Sequence, residues 1–194
     1  MQLTGNDNNF ELEFERIEDA CVLLNFFCGI NEMDDFIHSK LQSYINDSDC
    51  KTYVVKSNGT IVAMFSLCPD MLSLDEDDEY DMKIGAAPKP RIAFTDKQFF
   101  TNREFDAIEL AYLAVSKDYK KRGIGEFVIS EIENKIRIED KSCQFLTVEA
   151  YKTPTYSAIG FYEKCHFTPS ELPIPTRNTL KMYKVLFPLK HFKD

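Results

Sequence analysis

Apolar and polar residues alternate through residues 10–17, and this period of two predicts the first strand of a sheet. Residues 20–27 predict a short helix that ends at Gly29, a residue type that suits the end of a helix. Apolar residues then recur at helical spacing, at Met33, Phe36, Ile37, Leu41, Tyr44 and Ile45. They predict one amphipathic helix over residues 31–45, with Asn31 as its N-cap.

Two further strands are predicted over residues 52–56 and 60–67, on either side of Asn58-Gly59. This dipeptide tolerates the positive φ angles of a tight hairpin turn. Residues 69–103 then mix acidic residues, proline and glycine without a clear period. This lack of a period suggests an insertion within the domain rather than a linker between domains. Long loops of this kind often border active sites.

The second half of the chain alternates between strand and helix patterns. Strands are predicted over 108–115, 143–150 and 180–187, and helices over 123–138 and 154–164. The first strand, the first helix and the second strand form a βαβ unit. A chain of 194 residues is long enough for one domain with its own core, so we expect a single α/β (α+β) domain over residues 1–194, with an insertion at about 69–103.

Charge and composition narrow the function classes. The net charge is -9 and the pI is about 4.9, so we do not expect a nucleic acid as a partner. The acidic run at 75–81 predicts a solvated loop, and its alternative is a rim that attracts cationic amines. The sequence has neither a signal-peptide pattern nor an apolar stretch that could span a membrane, which predicts a cytoplasmic protein without membrane contact.

The cysteines are scattered along the chain without a CxxC pair or a nearby histidine cluster. They stand at Cys21, Cys28, Cys50, Cys68, Cys143 and Cys165. This spacing suggests neither a zinc site nor a disulfide framework, so we expect reduced, mostly buried thiols and no metal.

A candidate anion site lies where the strand 108–115 meets the following helix. Three cations, Lys120, Lys121 and Arg122, precede Gly123-Ile124-Gly125. A helix N-terminus offers free amide donors, and glycines let a diphosphate approach the backbone. The alternative is a tight turn with solvated lysines, and these residues alone do not decide between the two. A Walker loop is absent, and a Rossmann fingerprint lacks its third glycine because Val128 stands there.

The loop resembles the motif R/Q-x-x-G-x-G/A of the GCN5-related N-acetyltransferases, the GNAT superfamily. Lys120 stands where arginine or glutamine is usual, which keeps the positive charge and loses the planar guanidinium. Residues 155–167 resemble a second motif of the superfamily, N-x-x-A-x-x-F-Y-x-K-x-G-F. Thr155 replaces the asparagine that commonly contacts pantetheine, and His166 replaces a glycine, which is expected to reshape a turn.

The resemblance implies a single GNAT-type domain with a mixed central sheet of about six to seven strands, flanked by helices and with splayed central strands. It implies acetyl-CoA as cosubstrate and direct attack by an amine, of a small molecule or a protein, in a ternary complex. The residues implied in coenzyme binding are Leu113, Val115, Lys120, Lys121, Arg122, Gly123, Ile124, Gly125, Thr155 and Tyr162.

Two catalytic residues follow from the resemblance. Tyr162 matches a tyrosine near the coenzyme sulfur, and its phenol can protonate a departing thiolate. Its alternative role is that of a core aromatic beside Phe161. Glu109 matches a carboxylate that deprotonates the amine directly or through water. Its alternative role is an edge carboxylate paired with a lysine, and Glu149 is the reserve candidate for the base.

Two other functions stay open. Residues 27–37 and 52–55 resemble a GNAT branch that includes toxins acetylating aminoacyl-tRNA, although the net charge of -9 speaks against a tRNA substrate. The changes at Thr155 and His166 motivate a non-catalytic acyl-CoA sensor. The sequence names neither the acceptor nor the oligomeric state, for which a homodimer is one option.

Overall fold

The structure is a computed structural model that describes residues 2–5, 8–73, 104–140, 143–170 and 178–186. The described strands are β1 (Gln2–Gly5), β2 (Asn8–Ile17), β3 (Lys51–Ser57), β4 (Thr60–Ser73), β5 (Glu104–Val115), β6 (Phe145–Tyr151), β7 (Thr168–Pro169) and β8 (Thr179–Val185). The described helices are α1 (Asn31–Ser39), α2 (Leu41–Asp47), α3 (Ile124–Glu139) and α4 (Ile159–Lys164), with 3-10 turns η1 (Ala20–Leu23) and η2 (Lys117–Tyr119).

The strands are hydrogen-bonded in the order β1-β2-β3-β4-β5-β6-β8-β7. β5 and β6 are parallel, whereas the pairs β1-β2, β2-β3, β3-β4, β6-β8 and β7-β8 are antiparallel. The predicted mixed sheet of an α/β fold is therefore confirmed, and the short strands β1 and β7 add to the predicted set. Among the described residues, no helix has the length and apolar character needed to cross a membrane.

The chain divides into two compact units. Unit 1 comprises Met1–Cys68 and Leu110–Ser130, and unit 2 comprises Pro69–Glu109 and Glu131–Asp194. β4, β5 and α3 each contribute residues to both units. Of the insertion predicted at 69–103, residues 69–73 continue β4, while the rest, including the acidic run at 75–81, lies outside the described residues.

In unit 1 the predicted hairpin is confirmed. Asn58 and Gly59 join β3 to β4 with φ angles of 49° and 77°, the left-handed conformation that such a turn requires. Two helix predictions need correction. The helix predicted over 31–45 is broken at Lys40, whose φ of -125° is not helical, and Ile30 rather than Asn31 is the N-cap. Residues 20–27 form only a short 3-10 turn, because Asp19 caps Cys21 and the chain leaves the helical path after Leu24.

The core of unit 1 lies between the sheet and the helices α1 and α2. Its fully buried members include Leu23, Ile37, Leu41, Val54, Met64 and Ala114. The aromatic rings of Phe36 and Tyr112 stack at 4.1 Å between centroids, and Tyr44 packs against both rings edge-on. Tyr112 and Ala114 both lie on β5, so the helices hold the inner face of the strand that leads to the candidate anion site.

Cys50 and Cys68 form a disulfide, so the expectation of six reduced thiols is wrong for this pair. The reason is strand register. Because Lys51 pairs with Leu67, the two cysteines come next to each other across β3 and β4, with a Cα–Cα distance of 4.2 Å. Their separation of 18 residues carries no sequence motif. The Tyr44 hydroxyl contacts both sulfur atoms. The other four cysteines are not in disulfides; Cys28, Cys143 and Cys165 are buried, and Cys21 is exposed.

In unit 2, the ladder between β5 and β6 contains three pairs, Ala107↔Phe145, Ile108↔Leu146 and Glu109↔Thr147. The ladder stops there, although β5 continues to Val115 and β6 continues to Tyr151. β8 pairs with β6 along its whole length and supports it on the other side.

The helix predicted over 154–164 begins only at Ile159, which is a correction. Pro154 and Thr155 lie in a bend, and the Thr153 hydroxyl accepts a hydrogen bond from the amide of Tyr156. Threonine side chains often stabilise turns in this way at the expense of a helix. The strand predicted over 180–187 spans 179–185, and residue 187 lies outside the described residues.

Candidate active site

Two backbone hydrogen bonds fix the point at which β5 turns toward α3. The amide of Ser116 donates to the carbonyl of Val62 on β4, and the amide of Lys117 donates to the carbonyl of Phe27, both at 2.9 Å. The amide of Tyr119 then donates to the carbonyl of Ser116 and closes the turn η2. The entrance to the candidate anion loop is therefore anchored to two other segments of unit 1.

The backbone of the loop itself is shaped to expose its amides. Lys121 has a φ of 61° and Gly123 a φ of 77°, so two left-handed residues flank Arg122. Alternation of this kind turns successive N–H groups toward one side and forms an anion-binding concavity. Among the described residues, no backbone carbonyl accepts a well-aligned hydrogen bond from the amides of Lys121, Arg122 or Gly123. These donors are available to a ligand.

The helix behind the loop adds to this field. α3 begins at Ile124, so its dipole directs partial positive charge at the loop. Ile124 is 1% exposed and Gly125 is buried, and together they anchor the start of the helix in unit 1. Lys120, Lys121 and Arg122 are exposed. The Arg122 guanidinium donates to the carbonyl of Asp118 at 3.0 Å and lies 5.1 Å from the ring centre of Tyr119, which holds it within the loop.

Leu113 and Val115 are half-buried on the outer face of β5, opposite the face on which Ala114 packs into the core. They lie beyond Glu109, where the ladder with β6 has ended. Both residues therefore belong to the part of β5 that β6 does not pair. This is the part of the strand for which the family resemblance predicts contacts with pantetheine.

In unit 2, Tyr162 lies on α4 with only 8% of its surface exposed. Its ring packs edge-on against Phe161 and Phe167, at 5.1 and 5.4 Å between centroids. Burial, and to a smaller degree Tyr156 and Cys165, raise the pKa of Tyr162 well above its ordinary value of 10.0. The phenol is thus held fully protonated at neutral pH. That is the state that a general acid needs before it donates.

The turn after α4 keeps the shape that a glycine would give it. His166 has a φ of 65°, its amide donates to the carbonyl of Glu163, and the amide of Phe167 donates to the carbonyl of Tyr162. These two bonds form a Schellman motif, in which the left-handed position usually belongs to glycine. The expectation that His166 reshapes the turn is therefore wrong: it adopts the strained conformation, at a cost of roughly 1–2 kcal/mol.

Thr155 is exposed in the bend before α4, with its hydroxyl 3.4 Å from that of Thr153. The amide of Ala158 donates to the carbonyl of Tyr151, the last residue of β6. The bend that carries Thr155 is thus held between the end of β6 and the start of α4.

Glu109 and Glu149 lie on the same face of the sheet in unit 2. Glu109 is paired with Thr147, and Glu149 stands two residues further along β6. The half-buried Glu149 has one carboxylate oxygen shielded from solvent and without a hydrogen-bond partner among the described residues. Across the sheet it faces Lys181 on β8.

A polar cluster that the sequence did not indicate completes this face. One oxygen of Asp70, on β4, accepts hydrogen bonds from the Thr147 hydroxyl and from the Lys181 ammonium, the latter at 2.6 Å. The Thr147 hydroxyl also lies 3.5 Å from the carbonyl of Ile108. No sequence signal could have found this cluster, since its members are 77 and 111 residues away from Asp70 and meet only through strand pairing.

The predicted site residues fall into two groups. Leu113, Val115 and residues 120–125 lie in unit 1, and the structure brings them together at the end of β5. Glu109, Glu149, Thr155 and Tyr162 lie in unit 2, on β5, β6, α4 and the bend before it. Within the described part of the chain, no group of three histidine, cysteine or acidic side chains could hold a metal ion.

A comparison with known families decides which proteins this arrangement belongs to. Residues 18–167 match the acetyltransferase (GNAT) family. The chain belongs to the GNAT family. The predicted family, fold class and enzyme class are confirmed, and the GNAT chain is an N-acetyltransferase. A comparison with curated proteins finds no match.

Solved structures show the same fold along almost the whole GNAT chain. A bacterial toxin is similar with a TM-score of 0.65 and 16% identity, over 91% of this chain and 92% of the toxin. A tyrosine-to-phenylalanine mutant of KacT is similar with a TM-score of 0.64 and 16% identity, over 90% of this chain and 95% of the KacT chain. AtaT complexed with acetyl-methionyl-tRNAfMet is similar with a TM-score of 0.60 and 18% identity, over 88% of this chain and 94% of the AtaT chain. At these identities the likeness establishes the fold.

Proposed function

We propose that this GNAT protein transfers the acetyl group of acetyl-CoA to an amine, on a small molecule or a protein, by direct attack in a ternary complex. One observation carries the proposal. The amides of residues 121–123 stand in a turn with two left-handed residues at the start of α3, and no backbone carbonyl of the described residues accepts a well-aligned hydrogen bond from them. A diphosphate supplies the acceptor oxygens and the negative charge that such a turn favours.

Each part of unit 1 then has a role in holding the coenzyme. The amides from Lys120 to Gly125 would bind the pyrophosphate, and the exposed lysines would add long-range attraction. The unpaired outer edge of β5 at Leu113 and Val115 would accept the pantetheine arm by main-chain hydrogen bonds, as an added strand does. A crystal structure of AtaTR bound with AcCoA shows the coenzyme on a protein of the same fold, at 16% identity and a TM-score of 0.60.

By the family resemblance, Glu109 and Tyr162 would carry out the proton transfers. Glu109 takes a proton from the attacking amine, the new C–N bond forms at the thioester carbonyl, and the C–S bond breaks. Tyr162 donates its phenolic proton to the departing thiolate, and the proton held by Glu109 returns to solvent while Tyr162 is reprotonated. The phenol is protonated at neutral pH, as this role requires, and the assignment of the role to Tyr162 rests on the family motif.

The state of the Cys28 thiol speaks against this residue as the nucleophile of a covalent acetyl-enzyme. Cys28 is the thiol nearest in sequence to Phe27, whose carbonyl binds the loop entrance. Burial, together with a hydrogen bond to Asp34, raises the pKa of Cys28 to about 11. Because the thiolate is the reactive form, a thiol with this pKa is a poor nucleophile at neutral pH.

The proposal is tested by a panel of primary amines, with released CoA thiol as the readout and calorimetry to measure acetyl-CoA binding. The panel should include a polyamine, an aminoglycoside and lysine-containing peptides. We expect binding of acetyl-CoA and thiol release that depends on at least one amine. A chain that is folded by circular dichroism and binds neither CoA nor acetyl-CoA would falsify the proposal.

A second candidate acceptor is the amino group of an aminoacyl-tRNA. It is favoured by the likeness to AtaT complexed with acetyl-methionyl-tRNAfMet and to other toxins, over about nine-tenths of the chain. The net charge of -9 argues against it, since tRNA binding gains from many lysine and arginine contacts with phosphates. Incubation with charged tRNA and labelled acetyl-CoA tests this acceptor. The absence of label in the aminoacyl-tRNA fraction would remove it.

A further inference from the structure

The segment from Phe27 to Gly29 is the second support of the coenzyme loop, besides β4. The carbonyl of Phe27 accepts the hydrogen bond from the amide of Lys117. Gly29 approaches the same residue closely, because a Cβ added to it would lie 3.6 Å from the Cβ of Lys117. With a φ of 76°, Gly29 also adopts the left-handed conformation. The position of Lys117 therefore depends on how this short turn is held.

Asp34 holds the turn from the first part of α1. One carboxylate oxygen accepts the amide of Cys28 at 2.7 Å, and the other accepts the amide of Gly29 at 2.9 Å. Burial acts to raise the pKa of Asp34, but these hydrogen bonds and the nearby His38 outweigh it and lower the pKa below 3.8. The carboxylate is therefore charged and forms two charge-assisted hydrogen bonds, which are stronger than neutral ones.

The same turn gathers other groups around Lys117. The Lys117 ammonium lies 5.7 Å from the ring centre of Phe27. The ring centres of Phe27 and His38 are 4.7 Å apart. Neither group binds the backbone of the turn as Asp34 does. The chain of direct bonds runs from the Asp34 carboxylate to the Cys28 and Gly29 amides, and from the adjoining Phe27 carbonyl to Lys117.

We propose that Asp34 is a positioning residue for the coenzyme loop, which it holds through the 27–29 turn and the Phe27–Lys117 hydrogen bond. This inference rests on the proposed use of residues 120–125 for acetyl-CoA. When the carboxylate is removed, the turn loses two hydrogen bonds, and Lys117 loses the fixed carbonyl that sets the start of the loop. The loop amides then spend less time in the geometry that fits a diphosphate.

The test compares Asp34→Ala with Asp35→Ala, which removes the same charge from the next residue of α1. The side chain of Asp35 is exposed, and Asp35 contributes only its carbonyl to a hydrogen bond with Ser39. We expect Asp34→Ala to weaken CoA binding in calorimetry about three- to tenfold, as expected for one or two hydrogen bonds. The KM for acetyl-CoA should rise by a similar factor while kcat changes less than twofold. Asp35→Ala should change neither.

Asp34→Asn guards against the case in which Asp34→Ala does not fold. An amide oxygen keeps one of the two acceptors, so CoA affinity between those of wild type and Asp34→Ala is expected. If Asp34→Asn, folded by circular dichroism, binds CoA as tightly as wild type and keeps its KM, the inference is overturned. A fall in kcat with unchanged KM would also overturn it. Failure of the wild-type protein to bind CoA would instead remove the proposed function, and this inference with it.

Discussion

The coenzyme loop at 116–125 and the acidic face around Glu109 are built in opposite ways. The loop uses main-chain amides of consecutive residues, shaped by two left-handed residues and a helix start. The acidic face uses side chains from β4, β5, β6 and β8, which meet only through sheet pairing. A main-chain site leaves a trace in local sequence, and a side-chain site of this kind does not. The sequence therefore indicates the proposed donor of the acetyl group, and it does not indicate the acceptor.

The largest effect should come from Tyr162→Phe, which removes the proposed proton donor and keeps the ring. We expect kcat to fall about 100- to 1,000-fold, the scale of general acid catalysis, while CoA affinity changes less than twofold. Since burial raises the pKa of Tyr162 above 10.0, the wild-type rate should show no loss of this acid from pH 7 to about pH 9. Tyr53→Phe, at a half-buried position of β3, is the matched control. An unchanged kcat in Tyr162→Phe would leave Tyr162 as a core aromatic.

The second effect separates the two carboxylates of the acidic face. Glu109→Gln should lower kcat about 100-fold when measured with the best amine of the panel, because it removes the proposed base but preserves the shape of the side chain. Glu149→Gln, two residues from the Thr147 partner of Glu109, should stay within threefold. The reverse pattern would transfer the role of base to Glu149, and two small effects would point to water.

A third change tests the loop through its backbone. Gly123→Ala places a side chain at a φ of 77°, a conformation that disfavours L-residues by roughly 1–2 kcal/mol. The added Cβ meets no atom within 4 Å, so the strain is conformational. We expect acetyl-CoA to bind about tenfold more weakly with kcat preserved. Gly160→Ala, which also has open space but a helical backbone, should bind normally. Equal affinity in the two variants would contradict the role of the loop geometry.

The smallest effect concerns a left-handed residue that serves no ligand. His166→Gly relieves strain of roughly 1–2 kcal/mol and adds chain entropy worth about 0.5–1 kcal/mol in the unfolded state, so a net gain of about 0.5–1 kcal/mol is expected. For a chain of this size the Tm should rise by about 2 °C in differential scanning calorimetry, with unchanged CoA affinity. Glu163→Gly, in the exposed helix, should lower the Tm instead. A fall in the Tm of His166→Gly would show that His166 makes compensating contacts.

The predicted features that hold are those with a local physical cause. The hairpin at Asn58-Gly59 and the strand-to-helix junction at 116–124 follow from backbone conformations that few residue types allow. The features that were missed depend on how neighbouring segments pack, or on residues that lie far apart in the sequence. Periodicity continues across Lys40 because α1 and α2 both face the same core, so the break between them leaves no mark in the apolar pattern.

The other differences come from side-chain bonds that form only in the folded chain. The helix before Lys164 starts five residues later than predicted because the Thr153 hydroxyl and the bend at Pro154 satisfy the backbone in another way. Asp34 was visible only as an acidic residue in a first helical turn, and its bonds to Cys28 and Gly29 require the folded turn. The Cys50–Cys68 disulfide likewise appears only once β3 and β4 are in register.

The central claim is that backbone amides from Lys120 to Gly125 hold the pyrophosphate of acetyl-CoA. A titration of the ¹⁵N-labelled protein with CoA, followed by amide chemical shifts in NMR, tests it residue by residue. We expect the largest shifts on residues 120–125, and we expect hydrogen exchange of these amides to slow when CoA binds. Saturable CoA binding that leaves these amides unshifted, with the changes elsewhere in the chain, would contradict it.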